Sequence, residues 1–266
     1  MLNKLSFSVT RLQMSRLSDD GEVLRSSIGT GFLWKHDGKS YLVTNWHNVT
    51  GINPDTNKLM HGWYPNSVHF NIYREENNFG KATIAGKTAM SLNLYGAIEE
   101  PVWIEHPLGR HVDCVALPLD VESSTVIHVN DYDFDPRLKP YVGMDCVIIG
   151  YPKGLSADKE TPIWKRASIA SEPFLDFEGK PLVLVDTATR EGMSGSPAIM
   201  RHSGLFSPGG MDRDSLIGTV ENFLGIYSGR IGDDPMGVQL GRIWKGHVID
   251  EVIIARKPGL HPNIVL

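Results

Sequence analysis

With 266 residues, 41% of them apolar and 21% charged, the chain is long enough to bury a full core, and its composition excludes a disordered or low-complexity protein. A net charge of −5 argues against the cationic surface that nucleic-acid binding needs, so no nucleic-acid partner is expected. Only Cys114 and Cys146 are present, both inside apolar runs, which argues against a disulfide framework and for a reducing, cytoplasmic compartment.

The opening stretch MLNKLSFSVTRLQMSRLSDD has no continuous apolar region and no small-residue cleavage site, so it does not read as a secretory signal. No apolar run approaches bilayer-spanning length, and no membrane partner is expected. Leu5, Phe7 and Val9 begin a period-two alternation that recurs at Val68, Phe70 and Ile72 and at Val183 and Val185. In GTGFLWKHDGKSYLVTNWHNV, two apolar runs flank the turn HDGK, a hairpin that would deliver His47 to a strand end. Further turns follow at NPDTN, HPLGR, YPKGL and SPGGMDRD. The polar, acidic stretch 121–143 reads as a connection between two halves. Near the C-terminus, WKGHVIDEVIIAR places Val248, Ile249, Val252 and Ile253 on one helical face. Many short strands with Gly and Pro turns indicate a β-sandwich or barrel.

Acyl transfer by a serine needs a hydroxyl, an imidazole to take its proton, a carboxylate to orient the imidazole and donors for the oxyanion. Ser194 lies in EGMSGSPA between Gly192 and Gly195, where small neighbours let a substrate carbonyl approach. Within those eight residues an ordinary turn explains the composition equally well. Asp113 interrupts the apolar run HVDCVALPL, a position where a carboxylate needs a partner, either an imidazole or Arg110 nearby. His106 and His111 with Asp113 match no metal-site spacing, so neither metal nor cofactor is expected. The order His47, Asp113, Ser194 on three separate segments suits a cleft between two lobes.

These stretches make the sequence similar to the chymotrypsin-like (trypsin-like) serine peptidases, and most closely to their compact bacterial branch without disulfides. GTGFLW with LVTNWHNV, VDCVALPL, VGMDCVIIGYPKG and REGMSGSPA carry the resemblance, in the family's order, from residue 29 to 198. It implies an all-β fold of two six-stranded antiparallel barrels with the active site in the cleft between them, plus a C-terminal α-helix. On one peptidase domain, 1–266, barrel 1 would occupy about 1–120, the linker 121–143, barrel 2 about 144–243 and the helix about 244–256. His47 becomes the general base, Asp113 its orienting carboxylate and Ser194 the nucleophile, with the N–H groups of Gly192 and Ser194 as oxyanion hole. FLGIYSGRIG matches the segment that pairs with substrate main chain, which makes Ser228 and Gly229 substrate-binding residues, with Ser228 also where the family often bonds the catalytic aspartate. Thr189 and Tyr227 would lie near the specificity pocket.

Two departures bear on function. Met193 stands where digestive relatives have an aspartate that receives a new N-terminus, so activation by that salt bridge is not expected. Ala188, six residues before Ser194, removes the acidic group behind Lys or Arg preference. The expected activity is a serine endopeptidase acting on a peptide or protein substrate. The alternative is a protease-like fold that binds peptides with little or no turnover. Any regulator would be another molecule or a loop, with 52–66 and 201–222 as the long segments that could carry specificity.

Overall fold

A computed structural model describes residues 3–78, 81–208, 215–231 and 238–265. Its N-terminal strands are β1 (Val9–Leu17), β2 (Val23–His36), β3 (Lys39–Thr44), β4 (Ile52–Asn53), β5 (Lys58–Leu59), β6 (Ser67–Asn78), β7 (Lys81–Asn93), β8 (Ile104–Glu105) and β9 (Val115–Leu119). The C-terminal strands are β10 (Asp145–Gly150), β11 (Ile163–Ile169), β12 (Leu182–Asp186), β13 (Ser196–Phe206), β14 (Leu216–Arg230) and β15 (Leu240–Lys245), followed by β16 (Lys257–Pro258). Four short helices, α1 (Leu5–Ser8), α2 (Trp46–Thr50), α3 (His247–Ala255) and α4 (Pro262–Val265), complete the all-β architecture.

The six C-terminal strands close into an antiparallel barrel in the order β10-β11-β12-β15-β14-β13. The N-terminal strands form an eight-stranded antiparallel sheet, β16-β8-β9-β3-β2-β1-β6-β7, whose ladder stays open, with β4 and β5 as a separate hairpin. The gap lies between the end of β7 and the start of β8. There a single backbone hydrogen bond, Val102 N–H to Leu94 O at 3.0 Å, and an isolated bridge between Tyr95 and Pro101 replace a ladder. Pro101 has no N–H to donate, so pairing cannot continue through it.

Period-two alternation builds the cores. In β2, Leu33 points into the N-terminal sheet's own core, while Phe32 and Trp34 join the core shared by both halves. In β10, Cys146 and Ile148 fill the barrel while Val147 and Ile149 face that shared core. Val248, Ile249, Val252 and Ile253 of α3 pack into it as the helical spacing requires. The helix begins at His247 rather than 244, because Trp244 is paired with Leu182 and Ile226 in the barrel ladders. The C-terminal segment then returns to the N-terminal sheet through β16.

Ile249→Ala, at a fully buried position of α3, is expected to cost about 2–5 kcal/mol in urea unfolding. Ile254→Ala, on the exposed side of the same helix, should stay within about 0.5 kcal/mol, and equal effects at both sites would contradict the packing described.

Candidate active site

The β2–β3 hairpin turns at Asp37 and Gly38, both at positive φ (47° and 73°), as a two-residue hairpin loop demands. β3 pairs antiparallel with β9, Thr44 opposite Val115, so the end of β3 lies beside the start of β9. His47 follows β3 on α2 and Asp113 precedes β9, and that register brings them together. Asp113 sits at the apex of a tight turn closed by Cys114 N–H to Val112 O at 2.8 Å. Its Oδ2 lies 2.7 Å from His47 Nδ1, and its Oδ1 accepts the His47 backbone N–H at 3.0 Å. Asn45 Nδ2 donates to the Asp113 carbonyl at 2.6 Å. Asp113 is 3% exposed and His47 8%. An ionised carboxylate can only accept, so Nδ1 carries a proton, and in the neutral imidazole Nε2 then holds the lone pair. The carboxylate is therefore matched by His47, not by Arg110. Among the described residues no cluster of His, Cys, Asp and Glu could hold a metal ion, and His106 instead lies 3.0 Å from Glu251.

The Ser194 loop belongs to the barrel but is held from the other half. Thr30 N–H and Asn48 Nδ2 both donate to Ser194 O, at 2.9 and 3.1 Å, and Thr30 Oγ1 donates to Gly192 O at 2.7 Å. Thr44 Oγ1 in turn donates to Thr30 O at 2.8 Å and accepts from Asn48 Nδ2 at 2.9 Å. Gly192 and Gly195 have φ of 88° and 89°, and a Cβ at either would collide with a carbonyl, that of Tyr151 or of Thr30. Met193 is fully buried in the barrel core, so apolar packing anchors the residue before the serine.

The same contacts orient two N–H groups. Glu191 O accepts from Lys153 N–H at 2.6 Å, and Met193 O accepts from Ser196 N–H at 3.1 Å. In a trans peptide the N–H points opposite its carbonyl, so the N–H groups of Gly192 and Ser194 are aimed away from those donors. Neither has an acceptor among the described residues. His47, Ser194 and Gly192 line one cleft of about 780 Å³, together with Asn48, Lys153 and Glu191. The segment 52–66 contributes Met60, His61, Trp63 and Pro65 to its wall. No hydrogen bond joins Ser194 Oγ to His47 among the described residues.

The residues expected to bind substrate separate into two groups. Gly229 stands beside the serine, where an added Cβ would lie 3.7 Å from Ser194 Oγ. Tyr227 points the other way, into the barrel core, where its hydroxyl is hydrogen-bonded to Thr189 and burial pushes its pKa up to about 12. Ser228 is buried, and among the described residues its hydroxyl makes no bond to Asp113. The described arms of 201–222 are paired strands of β13 and β14 that do not line this cleft, and most of the turn SPGGMDRD lies outside the described residues. Thr30, Thr44 and Asn48 carry no group that acyl transfer calls for, so the chemistry alone does not point to them. Their signal was small polar residues inside or beside the apolar runs GTGF and YLVT.

A second Ser–His–Asp arrangement occurs away from the cleft. Ser40 Oγ lies 2.9 Å from His128 Nε2, and His128 Nδ1 lies 2.9 Å from Asp131 Oδ2. Ser40 and His128 are buried, and burial lowers the His128 pKa. The contact fastens the connecting segment 121–143 to β3.

The profile of a trypsin-like peptidase domain matches residues 29–205, about two thirds of the chain. No curated protein matches in sequence. Among solved structures, the inactive form of a serine-to-alanine mutant of Rv3671c from M. tuberculosis H37Rv is similar at 18% identity and a TM-score of 0.47, covering 95% of this chain and 87% of that one. The inactive form of Rv3671c protease is similar at 17% identity and a TM-score of 0.44, covering 95% and 90%.

Thr30→Val keeps the shape but leaves the Gly192 carbonyl and the Tyr151 N–H, which donates to Thr30 Oγ1 at 3.1 Å, without this partner. With about 1–3 kcal/mol for each of the two buried groups left unmatched, urea unfolding should show a loss of about 2–6 kcal/mol. Thr30→Ser should recover most of it, and a Thr30→Val protein as stable as its parent would remove the clamp from the account.

Proposed function

The chain belongs to the trypsin-like peptidase domain family, and from that premise we propose that it is a serine endopeptidase working through an acyl-enzyme. Ser194 Oγ attacks the scissile carbonyl while His47 Nε2 takes its proton. The tetrahedral oxyanion is received by the N–H groups of Gly192 and Ser194. His47 then returns the proton to the leaving amine, and the same histidine activates the water that releases the acyl group. Asp113 keeps the imidazole in the tautomer with Nδ1 protonated and balances the imidazolium.

The observation that carries this reading is the pairing of both Asp113 oxygens with His47, at the edge of the cleft that Ser194 shares. The reading does not require a standing Ser194–His47 hydrogen bond, since such contacts often tighten only around substrate. Substrate main chain has a place to pair: among the described residues the ladders to β13 and β15 leave Ser228 and Gly229 without partners. Met193, buried among apolar side chains, supports an enzyme that needs no salt bridge before its serine. The whole chain acts as one peptidase domain on this reading. Cys114 and Cys146 are free and buried, which supports the cytoplasm as its compartment.

A fluorophosphonate probe should label the wild-type protein and fail to label Ser194→Ala. Asp113→Asn should lower peptide turnover by roughly 10³- to 10⁴-fold while leaving the protein folded. Folded wild-type protein that resists the probe, alone and with candidate peptides, would instead mark a peptide-binding module.

A further inference from the structure

Two carboxylates back α2, and the relay proposed above uses one of them. The other, Glu105 at the end of β8, is 1% exposed, and its Oε2 accepts from Nε1 of Trp46, the residue before His47, at 3.2 Å. An ionised carboxylate this deeply buried is costly without a counter-charge. Lys257 supplies one: its Nζ lies 3.0 Å from Glu105 Oε1 and also donates to Pro107 O at 3.2 Å. The lysine is delivered by the β16–β8 ladder, in which Lys257 stands opposite Glu105.

Beyond Lys257 the C-terminal segment is fastened along the N-terminal half. Gly259 N–H donates to Trp103 O at 3.0 Å, and a Cβ at 259 would collide with the Trp103 indole. His261 packs against the rings of Tyr64 and Tyr95, with centroids 5.4 and 4.7 Å away. Asn57 Nδ2 donates to Val265 O at 2.9 Å. The segment thus runs from the support of α2 to residues 57–64, the same stretch that supplies Met60, His61 and Trp63 to the cleft wall.

We propose that Lys257 is a positioning residue for His47, acting through Glu105 and Trp46; this rests on His47 being the general base. α2 has five residues and no side-chain N-cap, too few to stay in place by its own hydrogen bonds. Its orientation is set by its anchors, Asp113 on His47, Glu105 on Trp46 and the bonds of Asn48 to Thr44 and Ser194, with Trp46 and Val49 packed in the N-terminal core. With Lys257 gone, Glu105 becomes an unpaired buried charge that must take a proton or move toward water, and either change disturbs Trp46. A charge balance, not a shape, is what the lysine provides.

The test measures the rate of fluorophosphonate labelling of Ser194, kcat and KM on one peptide, and the NMR resonance of the His47 Nδ1 proton. Lys257→Met should slow labelling and lower kcat by about 10- to 100-fold at nearly constant KM, and shift or broaden the imidazole resonance. Lys257→Arg should retain wild-type behaviour. Combining Lys257→Met with Glu105→Gln removes the charge as well as its partner and should recover most of the rate. Wild-type labelling and an unmoved resonance in Lys257→Met, with any loss confined to thermal stability, would overturn the proposal, as would a double variant as slow as the single one. If wild-type protein resists the probe, the peptidase reading is what fails, and the imidazole resonance still decides whether Lys257 positions His47.

Discussion

Asp113 is an anion removed from water, and both of its oxygens are spent on a single residue, taking the ring N–H and the main-chain N–H of His47. Two bonds to one partner fix the imidazole in position and rotation together, which one bond could not do. The β3–β9 register exists in the form that makes this possible, because a shift of one residue would turn Asp113 to the opposite face. Buried charge therefore stands at the junction of these strands and holds the imidazole there.

The serine loop depends on β3 and on its other neighbour, β2. Thr30 in β2 and Thr44 in β3 form a polar thread through an otherwise apolar sheet, and it ends on the carbonyls of Gly192 and Ser194. Each half of the molecule thus contributes what the other lacks. The barrel carries the serine and buries Met193 as its anchor, while the N-terminal sheet holds the histidine and clamps the loop's carbonyls. The shared core beneath, closed by α3, keeps the two halves from sliding past one another.

Much of this arrangement is legible in the residues. The alternation of Val68, Phe70 and Ile72, the turn at Asp37-Gly38 and the helical face of 248–253 follow from local rules. That Asp113 needs a partner follows from its apolar surroundings, though only the register chooses His47 over Arg110. Tyr227 was harder, because period two says that neighbours in β14 face opposite ways without saying which way is inward, and Thr189, between β12 and β13, is placed by its bond to that tyrosine's hydroxyl. Nor does local sequence announce that Pro101 would fall where a ladder had to close, since that depends on which strands become neighbours. The hydroxyl of Thr30 was invisible for a similar reason: its two partners are more than 100 residues away in the chain.

The trio of buried Ser40 and His128 with the exposed Asp131 bears on how such sites are recognised at all. Judged by contacts, it is the more complete constellation, with serine, imidazole and carboxylate in one hydrogen-bonded row. A geometric template would select it ahead of the cleft. Yet every group in the row already has its partner and its serine and imidazole are buried, so it acts as a rivet between a loop and a strand. Chemistry needs a vacancy: a lone pair, an unmatched N–H and a hydroxyl still looking for a neighbour, all opening on the same space.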